Sequence, residues 1–500
     1  MPSTFFGLNI ASSGLSAYQV ALNTTANNIA NVQTTGYSRQ QSNRVASDAL
    51  LVHQQYGAVG SGVTTLSVKQ IRNQYYDTKY WYNQSSVGLY ETKLSYLQQI
   101  ENYFIDDSSS KGFTTILNTM FNSLDTLKNN ASDVNTRQQF IGSAQNLATY
   151  FNSVSEGLTD IQKGTNDEIK STVQNINAIA EKIAVLNKQI NVIEIQGGYA
   201  NELRDQRALL IDELSEIVPT EVSEVPITDT NHPDEPTGAN YYTVKIGGQV
   251  LVDTYNYETL ECKAREYKVN QTDAAGLYDI KWSKTGNTFN AGGSSMSGTL
   301  KALFDIRDGN NGENFSGLAK VLNSTEVQIT NPSITSIVGV SMPEEGILTI
   351  NGREYAYEGF TFEQDADGNI TSYTFNMKRA LTAEEQARVD GRTASVGTSI
   401  DAMGIPYYMS QMNQFLRSFA TEFNNILKKG VDLDGNSTSG YAFFTGYRHR
   451  DRRRVFLRRQ RCERECSQRI WLRHVLQADS SKYLCEQYDC QGSDQAGDNR

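Results

Sequence analysis

Leu8, Ala11, Leu15, Tyr18, Leu22, Ile29 and Val32 follow one another at alternating three- and four-residue steps, with Thr25 at the one polar position. This is a heptad seam, the spacing by which a helix keeps one stripe against a partner helix. A helix this close to the start of the chain, with so narrow a stripe, has little of its own polypeptide to pack on. The pattern therefore predicts a coiled-coil-type helix that needs a second helix from elsewhere. It runs into Ala26-Asn27-Asn28-Ile29-Ala30-Asn31 and then Gly36-Tyr37-Ser38-Arg39.

Further helical periodicity follows a polar, turn-rich stretch over 36–66, read as a loop with short extended pieces. Val68, Ile71, Tyr75 and Tyr82, then Leu89, Leu97, Ile100 and Phe104, outline one long helix whose middle Gly88 weakens. Phe113 to Leu127 gives a shorter one. Asp133 is placed to cap a helix with Phe140, Leu147, Phe151, Val154 and Leu158 on one face. Ile169, Val173, Ile176, Ile179, Ile183, Leu186, Ile190 and Ile193 mark another, ended by Gly197-Gly198. A last one buries Leu203, Leu210, Ile211, Leu214 and Ile217 before Pro219 stops it. Beyond Pro219, β-branched and aromatic residues alternate with polar ones. Asn351-Gly352 and Asp367-Gly368-Asn369 read as hairpin turns. A helix over 297–307 interrupts, and Met409, Met412, Phe415, Phe419, Phe423 and Leu427 restore helicity near Pro406.

These patterns predict an α+β multidomain protein: an elongated α-helical bundle with an N-terminal coiled-coil-type helix and inserted β-rich domains. The expected division is an N-terminal helix and loop over 1–66, and a long-helix bundle over 67–218 joined by a returning helix near 405–430. The β-rich insertion spans 219–400, and a non-native tail 447–500.

Residues 14–40 (GLSAYQVALNTTANNIANVQTTGYSRQ) resemble the N-termini of bacterial flagellar axial proteins, the rod, hook and hook-associated proteins, with their ANNIAN-x-x-T-x-GY-x-R type of pattern. Residues 197–218 (GGYANELRDQRALLIDELSEIV) are similar to the helical-domain signature of the hook-associated branch, which joins hook to filament. The likeness extends to about residue 446. It implies a structural subunit whose N-terminal helix pairs with a returning C-terminal helix and stacks with other copies around a central channel, the β-rich part facing outward. The partners it implies are further copies, the hook protein, the second junction protein and an export chaperone. The location it implies is the extracellular flagellum, reached without a cleaved signal peptide. Leu8, Ala11, Leu15, Tyr18, Leu22, Asn27, Asn28, Ile29, Asn31, Val32, Gly36, Tyr37 and Arg39 would form the assembly interface. Asn27, Asn28 and Asn31 can bond neighbouring subunits or cap the helix, and the resemblance favours assembly. Leu203, Arg204, Asp205, Gln206, Arg207, Leu210 and Leu214 would form the bundle signature. There Arg204 and Arg207, near Asp205 and Asp212, can form helix-surface or interhelical ion pairs in a bundle-stabilising or subunit-contact role, or belong to a solvated face. Two other readings stay open: a hook or rod protein, and a surface adhesin working through the β-rich region.

Catalysis finds no support. His53 and His232 lie in polar, loop-like surroundings with no nucleophile motif. The Asp365-Asp367-Asn369 and Asp432-Asp434-Asn436 turns lack the closing Glu of a calcium loop. No cofactor is expected. No stretch is apolar and long enough to insert in a membrane. The net charge of −11 combines an acidic body with a basic tail, and an acidic body is unsuited to nucleic acid.

The tail differs in kind. From Tyr447 it holds 13 basic against 8 acidic residues, and twelve of the basic residues are Arg, whereas the body favours Lys. Four of the five cysteines fall here: Cys462, Cys466, Cys485 and Cys490. A zinc site with His449 and His474 is the rival reading, but the spacing lacks the usual C-x2-C pair and no apolar mini-core surrounds it. A frameshift explains the change of character better. Codons for residues 477–497, read from their second base, can spell KLTAANICVNSTIVKDPTKLA, similar to the sequence expected of the hook-associated proteins at this point. The expected consequence is a chain that keeps one helix of the terminal pair, lacks the other, and is assembly-defective.

Overall fold

The computed structural model describes residues 5–51, 57–107, 110–228, 236–432 and 435–445. His53, His232, Asp434 and the readings placed on 447–500 lie outside them. Eight helices are described: α1 (Phe6–Ala30), α2 (Gln74–Glu101), α3 (Phe113–Asn129), α4 (Val134–Glu194), α5 (Asn201–Ile217), α6 (Gly298–Asp308), α7 (Ala383–Val389) and α8 (Ile405–Leu427).

Helix α4 organises the molecule. Its 61 residues make a rod of roughly 90 Å at 1.5 Å per residue. The N-cap expected at Asp133 is present, its carboxylate accepting from Asn135 N at 3.1 Å. The two helices expected here are one, because the apolar stripe passes through 162–166 as buried Gln162, Thr165 and Asn166, polar residues with internal partners. On its first half, Phe140, Leu147, Phe151 and Leu158 meet α3 and the Met409–Met412 face of α8. On its second half, Ile169 to Ala184 packs with α5, α6 and the strands that follow α5.

Val68 and Ile71 do not open α2, as the periodicity had suggested. Val63–Gln70 is a strand, antiparallel to Gln40–Ala46 with Gln40 opposite Gln70, and Asn73 caps the helix start with its side chain on Tyr75 N. The three- and four-residue spacing had merged a strand's alternation into the following helix. Gly88 does not weaken α2 but admits a neighbour: a Cβ there would stand 2.3 Å from Glu216 O.

After Pro219 come a four-stranded antiparallel sheet (Thr220–Thr228, Pro236–Ile246, Gln249–Asp253, Asn256–Tyr257) and a two-stranded one (Leu260–Ala264 with Tyr278–Trp282). Tyr242, Val244, Ile246, Leu251, Ile280 and Trp282 from these strands share one core with α4, α5 and α6. Six further strands close a barrel in the order Phe315–Val321, Glu326–Thr330, Ile370–Met377, Arg353–Gln364, Gly346–Ile350, Thr393–Val396. The barrel has its own interior of Phe315, Tyr357, Phe362, Tyr373 and Phe375. Both expected hairpins are here. Asn351 and Gly352 take φ of 50° and 74° between Ile350 and Arg353, the positive values of a two-residue turn. Phe360 and Phe362 stand opposite Phe375 and Tyr373 across the second.

Where α4, α6 and these strands meet, a network of buried polar groups joins them. Arg307, wholly buried, donates to Asn166 Oδ1 at 2.9 Å and Tyr278 O at 2.8 Å, and Gln162 donates to Arg307 O and Asp273. Arg265 and Arg307 flank Asp308. Burial alone would raise the Asp308 pKa, but the two guanidiniums hold it well below the carboxylate range. Asp273, with fewer opposing charges, is pushed up by its burial.

Candidate assembly site

Helix α1 does have local packing, through the face the heptads leave out. Ala17 and Thr24 are its buried residues, set against the Gln40–Ala46/Val63–Gln70 hairpin. The approach is close. Val63 N donates to Ser13 Oγ at 3.3 Å, and a Cβ on Gly62, at φ +112°, would fall 2.2 Å from that oxygen. Ser13, Ala17 and Thr24 on the inward face, with half-buried Ile10 and Val20, thus bring the helix onto the hairpin backbone, and the seam residues are left outside. Leu8, Leu15, Tyr18, Leu22, Ile29 and Val32 are 65–78% exposed, and Ala11 lies exposed on the same stripe. The Arg44 guanidinium lies 5.1 Å from the Tyr18 ring.

The asparagines at the end of α1 are engaged within the chain. Asn28 makes two 2.9 Å bonds to the backbone of Gln40, accepting from its N–H and donating to its C=O. Tyr37 OH donates to Asn28 Oδ1 at 2.8 Å and accepts from Asn27 Nδ2 at 3.2 Å. Asn31 Nδ2 donates to the backbone and side-chain oxygens of Asn27. The side chain of Arg39 is exposed, while its carbonyl accepts from Ile71 N. The chain is thereby turned sharply back beneath α1.

This turn rests on α5, so the two sequence signatures meet in space. Ser38 N donates to Asp205 Oδ2 at 3.1 Å, and Gln40 Nε2 to Glu202 Oε1 at 3.1 Å. Asn201 bridges to the hairpin, accepting from Gln70 N at 2.8 Å and donating to Val68 O at 2.9 Å. Gly36, at φ +79°, faces Leu209, whose Cβ would be 3.4 Å from a Cβ at 36. The site's electrostatics follow. Burial raises the Tyr37 pKa, and the negative charges of Asp205 and Glu202 raise it further. Asp205 is itself raised by burial, against the bonds from Ser38.

Arg204 and Arg207 do not pair with Asp205 or Asp212. Residues one or five apart on a helix do not share a face, and both arginines turn to α4 and the first sheet instead. Arg204 grips both Glu194 oxygens, at 2.6 and 2.7 Å, reaches Glu224 at 3.0 Å, and lies over the Tyr199 ring at 4.8 Å. Burial works to lower its pKa, but the bonds to Glu194 and the charge of Glu224 hold it above the ordinary arginine value. Arg207 is buried between Asn187 at 2.9 Å, Glu224 at 3.3 Å and the face of Tyr242, 3.5 Å from its centroid, and burial lowers its pKa. Asp212 accepts from Trp81 Nε1 at 2.7 Å, pinning α2 to α5. Leu214 is fully buried, Leu203 and Leu210 are half-buried, and Gln206 is exposed. Glu194 and Glu224, outside both sequence blocks, escaped the sequence reading, and Gln40, Asn201 and Glu202, though inside them, were not among the residues it singled out.

Among the described residues, no group of three or more His, Cys, Asp or Glu side chains converges to hold a metal ion. What the geometry offers is an outward apolar stripe on a helix whose base is locked to the bundle by directional bonds.

Residues 97–330 match the model of the flagellar hook-associated protein FlgK helical domain, and residues 8–37 that of the flagella basal body rod proteins. Flagellar hook-associated protein 1 of Bacillus subtilis is 39% identical over 228 residues, 45% of each chain. The protein of that name from Salmonella typhimurium is 37% identical over 223 residues, 43% of this chain and 39% of its own. The chain thus aligns with less than half the length of these curated relatives. A solved flagellar hook junction protein FlgK from Burkholderia pseudomallei superposes with a TM-score of 0.40 at 17% identity, covering 65% of this chain and 63% of its own, too loosely to inform the arrangement above. Residues 97–330 are therefore similar to the helical domain of the flagellar hook-associated protein FlgK, and residues 8–37 to the flagella basal body rod proteins.

Proposed function

We propose that the chain is a structural subunit of the bacterial flagellum at the hook–filament junction, outside the cell, and that it assembles through the α1 seam. One observation carries this: the large apolar residues of the heptad seam point to water while Ala17 and Thr24, on another face of α1, are buried against the hairpin. A continuous exposed apolar stripe of this kind is an interaction surface. Its occupants would be helices of other copies, of the hook protein or of the second junction protein, with a chaperone shielding it before export. No described helix is long and apolar enough to cross a membrane. The role is mechanical, with no reaction assigned to it.

The test uses a strain lacking its own junction protein, supplied either with this chain or with one whose coding frame is restored after residue 446. The frame-restored chain is expected at hook tips with filaments growing from it, and the 447–500 tail is expected to prevent this. Leu15→Asp with Leu22→Asp should abolish assembly of the frame-restored chain while leaving its unfolding midpoint unchanged. Filament growth by that double variant would refute the seam, and absence of the restored chain from hook tips would refute the location.

A further inference from the structure

Asn-Gly occurs twice in the chain, at Asn311-Gly312 and Asn351-Gly352, and the fold treats the two differently. The first pair lies between α6 and the barrel, with Asn311 half-buried. Both of its N–H groups are held by the 400–402 segment, Asn311 N donating to Ala402 O at 2.8 Å and Gly312 N to Ile400 O at 3.0 Å. The second pair forms the exposed tip of the hairpin between Gly346–Ile350 and Arg353–Gln364. The ladder ends at the Ile350–Arg353 pair, so Gly352 lies outside it, and among the described residues its N–H has no acceptor. A Cβ at 352 would meet nothing within 4 Å, so the approach to this backbone is open. Arg353 follows the one glycine and Glu313 the other.

The side-chain amide carbon of an Asn can close a five-membered ring with the next residue's backbone nitrogen, and a glycine there, having no Cβ, hinders the closure least. We propose that Asn351 is a site of spontaneous covalent modification through a cyclic imide formed with Gly352. Gly352 N gives its proton to the solvent and bonds to Asn351 Cγ; the Cγ–Nδ2 bond breaks, and Nδ2 takes up a proton and leaves as ammonia. Water then opens the ring. Cleavage between Cγ and the Gly352 nitrogen gives Asp, whereas cleavage at the Asn351 main-chain carbonyl gives isoaspartate, with the chain running through the former side chain. The net change is one water consumed and one ammonia released. A cation beside the reacting N–H favours its anion and an acid opposes it, so Arg353 assists at Gly352 and Glu313 hinders at Gly312. The two products differ in fit. Asp tolerates the φ of 50° at position 351. Isoaspartate adds a carbon to the main chain of a two-residue turn and loosens the Ile350–Arg353 pair that the turn closes. The site is independent of where the chain assembles.

The test incubates the full chain at physiological temperature and mildly alkaline pH, and follows the peptides around both asparagines by mass spectrometry. The readouts are the mass change of an amide NH2 exchanged for OH and the labelling of isoaspartate by a protein isoaspartate methyltransferase. In the folded chain Asn351 should convert roughly tenfold faster than Asn311 or more, because two backbone bonds must first break at the latter. Isoaspartate should appear at 351. In urea, where neither turn persists, the gap between the two sites should narrow sharply. Equal rates at the two sites in the folded chain, or the same gap in urea as in the folded chain, would show that the fold does not select Asn351 and would overturn the proposal. Neither readout depends on a variant that must fold.

Discussion

Arg204→Ala is the most informative single change. The Glu194 side chain is only 5% exposed, and Arg204 holds both of its oxygens. With the guanidinium gone, that carboxylate keeps Ala200 N at 3.3 Å and Asn240 Nδ2 at 3.5 Å, both at the long limit of hydrogen bonding. Removing one member of a buried pair strands the other's charge, which typically costs about 3–5 kcal/mol. Arg204→Lys, a point charge that cannot span both Glu194 oxygens and Glu224 together, should lose roughly a third to a half of that. Replacing both partners, Glu194→Leu with Arg204→Leu, should cost clearly less than Arg204→Ala, since no charge is left behind. Urea unfolding followed by helical circular dichroism measures all three. A loss under about 1 kcal/mol for Arg204→Ala, or a double variant worse than the single, would show that the clamp is solvated and not the tie between α4 and α5 described here.

Other outcomes follow from the same contacts. Trp81→Phe removes the donor to Asp212 and should destabilise by about 1–3 kcal/mol, read from the unfolding midpoint. Gly88→Val places side-chain atoms against Glu216 O and should cost at least about 1–3 kcal/mol by pushing α2 from α5, seen as faster amide exchange in both helices. Asp205, with its pKa raised by burial, contributes stability that is complete below the ordinary carboxylate value of 3.8 and is lost as pH rises through its folded value. Asp205→Asn, which keeps an oxygen for Ser38 N–H, should therefore flatten the fall in stability over that window. An unchanged slope would refute the assignment.

How much could be read from the chain depended on the range of the interaction. The Asn351-Gly352 turn, the Asp133 cap and the stop at Pro219 are decided by neighbours a few residues away, and the structure has them where the residues place them. The start of α2 was misplaced because Val68 and Ile71 satisfy a helical spacing, while Val68 pairs in a sheet with Ser42 and Ile71 N donates to Arg39 O, both far back in the chain. The continuity of α4 was hidden for a related reason. Gln162 and Asn166 look like a break in the apolar stripe, and they are buried only because Asp273, Ala274 and Tyr278 come back to bond them. For the arginines of α5, their charge marked the residues, but the partners were chosen by which helix face meets α4, a fact of tertiary structure.

The N-terminal helix shows a division of labour between two kinds of force. Had α1 simply sought the most favourable burial within one subunit, Leu15, Leu22 and Ile29 would face the hairpin, since each is worth about 1.5–3 kcal/mol when removed from water. Instead Ala17 and Thr24 face it, and the helix is held by bonds with fixed direction: Asn28 on the Gln40 backbone, Ser38 on Asp205, Gln40 on Glu202. Directional bonds set the angle at which a helix leaves its support, whereas apolar contact supplies adhesion and leaves the angle loose. An arm that must present the same stripe to an adjoining helix in every copy needs the first within its own subunit and keeps the second for its neighbours. On the proposed assembly role, the Asn28–Gln40 and Ser38–Asp205 contacts would matter to assembly without touching another subunit. Weakening them should blur the geometry of the seam before it lowers the stability of the bundle.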